Sequence, residues 1–248
     1  MPDLKISLIT VCYNAESTIR RCIISVIAQN YQNIEYIIID GGSTDGTLNI
    51  ISEFKEHIHT FKSGPDDGMY DAMNKGIKLA TGDIIGMLNA DDFLADDTVI
   101  ATVAAAFTNQ NLPITFGDLD YIDSEGKIIR KWRSGKYRHG KFNYGWMPPH
   151  PTFYCKRELF DQYGFYSLKY GTAADYELMS RFMHLNHTNA FYINKVLVKM
   201  NIGGASNKSY GNRVKGLFFD LKAMRSNGIL VPIVTLIAKP LRKINQYF

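Results

Sequence analysis

The sequence predicts an α/β fold in which a mostly parallel sheet carries helices on both faces. Two observations predict this class. Short β-branched runs alternate with longer helical patterns through the first 120 of the 248 residues, and polar loops rich in Gly, Asp and Asn follow the most apolar runs. Such alternation typically builds a parallel sheet, which holds its ligands in loops beyond the carboxyl ends of the strands.

The individual elements follow from hydrophobic periodicity. Ile6–Val11 and Glu35–Asp40 are short, mostly apolar runs that predict buried strands, while Glu16–Asn30 repeats apolar residues at helical spacing. Thr44–Thr47 supplies N-cap residues for a second helix. A third helix is expected over Met69–Ala80. These elements give a βαβα order.

The pattern changes after a further strand, which we predict over Asp83–Leu88. An alanine-rich helix is expected over Thr98–Phe107, and a hairpin over Ile114–Trp132 that turns at residues 123–126. The stretch Ser134–Pro151, rich in Gly, Tyr and Pro, is too long for a simple turn. Segments of this length in compact domains are more often functional than idle.

Composition excludes several classes of protein. With 46% apolar and 12% aromatic residues, the chain can bury a full core, so disordered, fibrous and disulfide-stapled proteins are excluded. The three cysteines (Cys12, Cys22 and Cys155) have no CxxC spacing, which favours a reducing compartment. A net charge of +4 is too small to argue for nucleic acid, and we expect no nucleic-acid partner.

The ends of the chain bear on localisation. Residues 1–11 lack the pattern of a secretory signal peptide, so a cytoplasmic protein is expected. From Lys208 onward, eight basic residues face one acid, Asp220, a local net charge of +7. We therefore predict a domain over residues 1–207 and a basic C-terminal helical extension over residues 208–248.

The extension carries an apolar stripe at helical spacing, formed by Ile229, Ile233, Leu236, Ile237, Leu241 and Ile244. An amphipathic helix of this kind suits an anionic membrane surface, which would place the protein on the inner face of the cytoplasmic membrane. A helix that packs on the domain or forms a dimer fits the stripe equally well. The oligomeric state stays open.

Three polar clusters follow predicted strands or open a helix. Thr10–Asn14 and Asp40–Thr47 offer backbone N–H groups and a carboxylate to a nucleotide base and ribose, or serve as ordinary turns. Leu88–Asp92 ends in two adjacent acids, which suit Mg²⁺ or Mn²⁺ or cap the next helix. Thr172–Glu177 opens an apolar-striped helix, where the helix dipole stabilises a carboxylate that acts as a base or as an N-cap.

The order and spacing of these pieces resemble the family 2 glycosyltransferases of the GT-A fold, a Rossmann-like α/β fold. The resemblance covers residues 4–205, and five segments in sequence make it specific. They are Thr10–Asn14, Asp40–Thr47, Pro65–Gly76, Gly82–Asp83 with Asn89–Asp92, and Asp175–Glu177.

The resemblance implies roles for the nucleotide side of the site. Asp40 would accept a hydrogen bond from the base, and Thr10, Tyr13 and Asn14 would line the uridine. Asn89 and Asp91 fall on the two ends of the DxD motif of the family. Asp91, helped by Asp92, would then hold a divalent cation, Mn²⁺ or Mg²⁺, that bridges the diphosphate.

The resemblance also implies a catalytic base and a donor pocket. Asp175 falls on the base that deprotonates an acceptor hydroxyl. Asp66, Asn74 and Lys75 would line the donor pocket, although exposed helix starts look similar. His150 is interpreted as a structural loop histidine, with an acceptor contact or an extra metal ligand as the alternatives. Two glycines suit the segment 202–206 to a hinge over the donor.

The function that the resemblance implies is inverting transfer of a single sugar from a nucleotide-sugar, most simply a UDP-sugar. The acceptor would be a hydroxyl of a glycan or lipid-linked molecule in surface polysaccharide synthesis. Two alternatives are a sugar nucleotidyltransferase and a non-catalytic nucleotide-sugar-binding assembly protein. The first lacks a Gly-rich basic signature here, and the second has no need for a base.

Overall fold

A computed structural model describes residues 4–202, 210–242 and 246. Within these residues the chain forms nine strands and eight α-helices. The strands are β1 Ile6–Cys12, β2 Ile34–Asp40, β3 Thr60–Ser63, β4 Ile84–Asn89, β5 Asp92–Leu94, β6 Ile114–Ile122, β7 Ile128–Trp132, β8 Tyr154–Lys156 and β9 Ala190–Asn201. The helices are α1 Ile19–Ile27, α2 Thr47–Glu53, α3 Met69–Leu79, α4 Val99–Gln110, α5 Glu158–Tyr163, α6 Ala174–Ser180, α7 Tyr210–Ser226 and α8 Pro232–Leu241.

One sheet runs through the molecule in the order β3-β2-β1-β4-β8-β6-β9-β5, with β7 paired to β6. The pairs among β1, β2, β3 and β4 are all parallel. The second half is mixed, because β8 runs antiparallel to β4 and β6, whereas β6 and β9 are parallel. The predicted α/β class is confirmed, and the parallel character is concentrated in the first half.

The core lies in two clusters, one on each face of the sheet. Along β1, Ile9 and Val11 belong to one cluster and Leu8 and Cys12 to the other, as the two-residue period of a strand requires. Helix α3 covers the first face and α1 and α4 cover the second. Helices on both faces are therefore confirmed.

A carboxylate fixes the edge of the sheet where the parallel strands begin. Glu35 accepts hydrogen bonds from Lys5 Nζ (2.8 Å), Ser7 Oγ (2.5 Å) and the Thr81 backbone N–H (2.7 Å). Burial alone favours the protonated acid, but these donors outweigh it and lower the pKa of Glu35 to about 2. These contacts join the starts of β1 and β2 to the turn that precedes β4.

The C-terminal helices pack on the domain. Ala223 and Met224 of α7 and the following Ile229 belong to the first core cluster. Helix α8 is fixed by Thr235 Oγ1, which donates to the Asn143 carbonyl at 2.6 Å. The helix therefore packs on the domain, one of the arrangements that the sequence left open.

Some predictions concern residues that the structure does not describe. The proposed boundary between residues 207 and 208, the hinge segment beyond residue 202, and Ile244 all lie outside the described residues. Within the described residues, the helices are too short or too polar to cross a bilayer.

Candidate active site

The carboxyl ends of the parallel strands bring the predicted polar loops together. In register, Cys12 of β1 lies beside Asp40 of β2, and Asp40 lies beside Ser63 of β3. On the other side of β1, Val11 pairs with Asn89 of β4. The loops after β1, β2, β3 and β4 thus share one edge of the sheet.

The β1 and β2 loops are joined by hydrogen bonds. The Asn14 N–H donates to Ser43 Oγ at 2.8 Å, and the Thr44 N–H donates to Asn14 Oδ1 at 2.9 Å. Asn14 adopts a left-handed backbone with φ of 47°, which asparagine tolerates better than most residues. Tyr13 is 65% exposed at this edge, so its ring is open to a ligand.

Asp40 organises the β2 loop from a buried position. Its oxygens accept from the Gly42 and Ser43 N–H groups (both 3.0 Å) and from the hydroxyls of Ser43 (2.5 Å) and Ser63 (2.6 Å). Burial opposes ionisation, but these hydrogen bonds prevail and lower the pKa of Asp40. The carboxylate thus sets the shape of the loop, and its contact with a base stays a prediction.

Thr10 is a correction to the predicted donor site. Its side chain is fully buried, and its hydroxyl lies 3.2 Å from the Tyr36 hydroxyl and 3.7 Å from Cys22 Sγ. The two-residue period of β1 turns Thr10 toward α1, on the face of Leu8 and Cys12. The hydroxyl therefore joins β1 to α1 and does not line the nucleotide edge.

The acidic loop after β4 differs from a symmetric carboxylate pair. Asp91 is partly exposed, whereas Asp92 is buried and its Oδ2 accepts from Asn89 Nδ2 at 3.1 Å. Burial and then the charge of Asp91 raise the pKa of Asp92 well above its usual range. Asp92 is thus a buried partner of Asn89, and its help to Asp91 in holding a cation stays a prediction.

The residues of this loop fit a cation that is held mainly by its substrate. Within residues 4–202, 210–242 and 246, no group of three His, Cys, Asp or Glu side chains is arranged to hold a metal. Asn89 Oδ1 and Asp92 Oδ1 are nevertheless buried without hydrogen-bond partners next to Asp91. Mg²⁺ is commonly bound by one or two carboxylates together with substrate phosphates, and Asp91 meets that requirement.

A chain of contacts holds the Asp91 backbone in place. Asn201, at the end of β9, donates from Nδ2 to the Asp91 carbonyl at 2.7 Å, and its Oδ1 accepts from Arg21 at 2.7 Å. Arg21 also stacks over the Phe93 ring at 4.1 Å. The acidic loop is thus attached to both α1 and β9.

The segment that leads into α3 lies beside the β2 loop. A Cβ atom built on Gly41 would come within 2.6 Å of Asp66 Oδ2, so the Asp66 carboxylate lies directly against this loop. Lys75 forms an ion pair with Asp71 at 2.9 Å and donates to the Pro65 carbonyl at 3.0 Å. Asp66 and Lys75 therefore border the edge at which we expect the donor.

Asn74 is a second correction. Its Nδ2 donates to the Tyr166 carbonyl at 2.8 Å, and its Oδ1 accepts from the Tyr166 N–H at 2.9 Å. Both ends of the amide are engaged by one backbone residue. Asn74 therefore clamps the segment before α6 and does not line the donor pocket.

Tyr166 and its neighbours surround Asp175. The rings of Tyr70 and Tyr166 stack with centroids 5.5 Å apart, and the Tyr166 hydroxyl lies 2.7 Å from His150 Nε2. Burial is the main cause that raises the pKa of Tyr70 and Tyr166 well above their usual range, and the charge of Asp175 raises it further. All three rings thus lie near the Asp175 carboxylate.

The local backbone sets the position of Asp175. It lies in the first turn of α6, after a 3₁₀ segment that contains Gly171 in a left-handed conformation (φ 46°). Its Oδ1 accepts from the Tyr176 N–H at 2.6 Å. The carboxylate therefore lies at the positive end of the helix dipole.

His150 is buried and acts through Tyr166. Burial lowers the pKa of His150, while the charge of Asp175 opposes the shift. A neutral ring bonded to the Tyr166 hydroxyl holds that tyrosine in place. The stretch Ser134–Pro151 thus places His150 near Asp175 and buries Phe142 and Trp146 in the core.

Two sets of contacts hold helix α6 in place, one through Arg181 and one through α8. Glu177 is buried and pairs with Arg181 Nε at 3.0 Å, and the Arg181 guanidinium donates to the carbonyls of Gly164 (2.9 Å) and Phe165 (2.8 Å). Lys239 of α8 lies over the Tyr176 ring at 4.0 Å. The residue beside Asp175 therefore contacts the C-terminal helix.

Comparison with known proteins assigns the chain to a family. The sequence profile for glycosyl transferase family 2 matches residues 7–172, two thirds of the chain. The chain belongs to glycosyl transferase family 2. This glycosyltransferase is 31% identical over 192 residues to a PGL/p-HBAD biosynthesis glycosyltransferase of Mycobacterium bovis, covering 72% of this chain and 73% of that relative.

Solved structures confirm the GT-A fold of this glycosyltransferase. It superposes on S. aureus TarS with a TM-score of 0.70 at 16% identity, covering 97% of this chain but 43% of the TarS chain. The mannosyltransferase PcManGT of Pyrobaculum calidifontis, solved with GDP-Man and Mn²⁺, gives a TM-score of 0.68 at 15% identity, covering 96% and 72% of the two chains. TarS 1–349 has been solved in complex with UDP-GlcNAc.

The structure adds site residues that sequence reasoning missed. Tyr70 and Tyr166 border Asp175, and Arg181 anchors Glu177 on the same helix, yet none of the three was singled out from the sequence. Tyr70 carried a usable signal, since it lies at helical spacing from Asn74 in a segment already recognised. Arg181 also carried a local signal, because it lies four residues after Glu177, the spacing of a helical ion pair. Tyr166 acts through contacts with distant segments, which leave no mark in a local pattern.

Proposed function

We propose that this glycosyltransferase transfers a single sugar from a nucleotide-sugar, most simply a UDP-sugar, to a hydroxyl group with inversion at the anomeric carbon. The acceptor is a glycan or a lipid-linked molecule of surface polysaccharide synthesis. The protein works in the cytoplasm at the inner face of the membrane. The observation that carries the proposal is the position of the Asp175 carboxylate. It lies beside the start of α3, the same segment that borders the loop after β2, where we expect the nucleotide.

That segment connects the donor side to the base. Asp66 lies against Gly41 of the β2 loop, and Tyr70, four residues later, stacks on Tyr166 beside Asp175. A donor that places its nucleoside on Tyr13 and Asn14 therefore has its sugar end directed along α3. This arrangement supports a single site in which the donor and the base meet.

The residues then have the following tasks. Asp175 accepts the proton of the acceptor hydroxyl while that oxygen attacks the anomeric carbon, and the bond from this carbon to the diphosphate oxygen breaks. A single displacement of this kind inverts the configuration. Tyr166, held by His150 and Asn74, fixes one wall beside the carboxylate, and such fixed geometry is a large part of catalysis.

Asp91 would hold a Mn²⁺ or Mg²⁺ ion, which when bound offsets negative charge on the diphosphate. PcManGT, which shares the fold, was solved with Mn²⁺ and GDP-Man, and TarS 1–349 with UDP-GlcNAc. These neighbours support a divalent cation and a nucleotide-sugar as the ligands. Asn89 and the buried Asp92 shape the loop around Asp91.

The test is the release of nucleoside diphosphate from UDP-, GDP- and dTDP-sugars, with and without Mn²⁺ or Mg²⁺ and with a membrane lipid extract as the acceptor source. We expect metal-stimulated release from one donor. Proton NMR of the newly formed linkage should show the anomer opposite to that of the donor. Retained configuration would refute the inverting mechanism.

The same panel distinguishes the alternatives. Binding of one donor without release in the presence of lipid extract would favour a non-catalytic nucleotide-sugar-binding protein. Formation of nucleotide-sugar from a sugar phosphate and a nucleoside triphosphate would favour a nucleotidyltransferase.

A further inference from the structure

The surface of α8 has the reverse of the usual polarity. Its inward side carries Thr235, which donates to the Asn143 carbonyl, and Lys239, which pairs with Asp220 at 2.7 Å. Its outward side is apolar. A helix at a water-facing surface normally shows the opposite distribution, with its apolar stripe toward the core.

The outward side is continuous. With 3.6 residues per turn, Ile233, Ile237, Leu241 and Val234 fall within about 100° of the helix circumference. The two residues before the helix extend the same apolar region. We define the α8 surface as Leu230 (79% exposed), Val231 (53%), Ile233 (63%), Val234 (58%), Ile237 (60%) and Leu241 (58%).

This concentration is particular to α8. Elsewhere among the described residues, large apolar side chains are exposed at most two per helix or strand. Contiguous apolar patches of this kind mark sites of membrane or protein interaction. The stripe expected from the sequence is thereby corrected, since Ile229 and Leu236 face the domain while Ile233, Ile237 and Leu241 face outward.

The charge around the surface selects the partner. Between residues 210 and 242 the only acid in the sequence is Asp220, and Lys239 neutralises it. At the C-terminal end of α8, the charges of Arg242 and Arg138 lie close enough to Lys141 to lower its pKa, after burial as the larger cause. A second copy would bring the same cations against these, whereas anionic headgroups would complement them.

We propose that the α8 surface inserts into the headgroup region of an anionic membrane, with the exposed Arg138 and Arg242 binding lipid phosphates. This proposal rests on the proposed function for its purpose, because Lys239 of α8 lies on Tyr176, the neighbour of Asp175. Helix α8 would then lie between the membrane and α6, the helix that carries Asp175. The acceptor class is therefore lipid-linked.

The experiment is co-flotation of the purified full chain with vesicles of phosphatidylcholine alone or mixed with phosphatidylglycerol. Wild type should float with the anionic vesicles and much less with the neutral ones. Ile233→Glu/Ile237→Glu should lower binding by more than about tenfold, since it removes two apolar contacts and adds repulsion. A matched control, Ile24→Glu/Phe61→Glu, changes residues that are 46% and 41% exposed elsewhere and should float like wild type.

A second variant keeps the proposal testable if Ile233→Glu/Ile237→Glu fails to fold. Arg138→Gln/Arg242→Gln leaves the apolar residues intact and should weaken binding to anionic vesicles only. Wild type that stays unbound to both vesicles, or an Ile233→Glu/Ile237→Glu protein that floats like wild type, would overturn the proposal. The proposal would also be overturned if wild type did not float but formed a dimer that Ile233→Glu/Ile237→Glu dissociates. That result would assign the α8 surface to a second copy of the chain.

Failure of the proposed function would look different. Asp175→Asn should float like wild type, because Asp175 lies outside the α8 surface. Flotation of a wild type that releases no nucleoside diphosphate from any donor would support the membrane surface and refute the transferase.

Discussion

Replacing Asn74 with alanine separates a clamp from a donor ligand. The change removes two hydrogen bonds to the Tyr166 backbone, of 2.8 and 2.9 Å. At about 0.5–1.5 kcal/mol each, the free energy of unfolding should fall by about 1–3 kcal/mol. For a chain of this size, that corresponds to a melting temperature lower by roughly 2–12 °C.

The effect on activity follows from what Tyr166 contacts. Once released, Tyr166 no longer holds its place beside Tyr70, His150 and Asp175, so we expect kcat to fall by about 10–100-fold. The dissociation constant for the donor should stay within about twofold of wild type, because both ends of the Asn74 amide are bonded to Tyr166 and not to the loops after β1 and β2.

The assays are thermal denaturation by circular dichroism, donor binding by calorimetry, and steady-state release of nucleoside diphosphate. Asn109→Ala, the same change at an exposed position of α4, is the matched control and should resemble wild type in all three. A weakened donor affinity with an unchanged melting temperature would refute the clamp. It would restore Asn74 to the donor pocket that the sequence predicted.

Three further predictions concern the scaffold. Thr10→Val should cost about 1 kcal/mol of stability, because the buried hydroxyl beside Tyr36 is lost, yet leave the donor dissociation constant unchanged in calorimetry. Gly76→Ala should cost about 1–3 kcal/mol in urea denaturation, since its Cβ would lie 2.5 Å from Ile9 Cγ2; an unchanged midpoint would contradict this contact. Glu35 has a folded pKa of about 2 against 4.5 in an unfolded chain, so its stabilisation, up to about 3 kcal/mol, is complete above pH 5 and lost as pH falls toward 2. Denaturation of wild type and Glu35→Gln should therefore converge with falling pH, and a gap independent of pH would argue against this role.

The sequence predicted the parallel half of the fold well, because its signals are local. Buried strands and amphipathic helices each show their period within a window of ten or so residues. Strand β3 was missed because Thr60–Ser63 is a short edge strand in which Phe61 is exposed, so it has no apolar run. The direction of β8 and β6 depends on pairing between distant segments, which local periods do not report.

The sequence located the loops of the candidate site but not the residues that hold those loops in place. Tyr13, Asn14 and Asp91 lie where the motifs place them, at the carboxyl ends of strands. Thr10 was assigned wrongly although the strand period already turned it toward α1, so that error was avoidable. Asn74 contacts Tyr166, 92 residues further along the chain, and no local pattern encodes such a contact.

The polarity of α8 could not be read from its spacing alone. The spacing identified an apolar stripe, but which side faces the domain is decided by two polar contacts. Thr235 reaches Asn143 over 92 residues of sequence, and Lys239 reaches Asp220. These contacts turn the polar residues inward and leave the apolar ones outside.

The most direct test of Asp175 as the catalytic base is the rate of sugar transfer by Asp175→Asn at saturating donor, with the donor dissociation constant measured in parallel. We expect a rate lower by about 10²–10⁴-fold, the usual contribution of a general base, with donor affinity within about twofold of wild type. Transfer at the wild-type rate would show that Asp175 is not the base, and the proposed mechanism would fail.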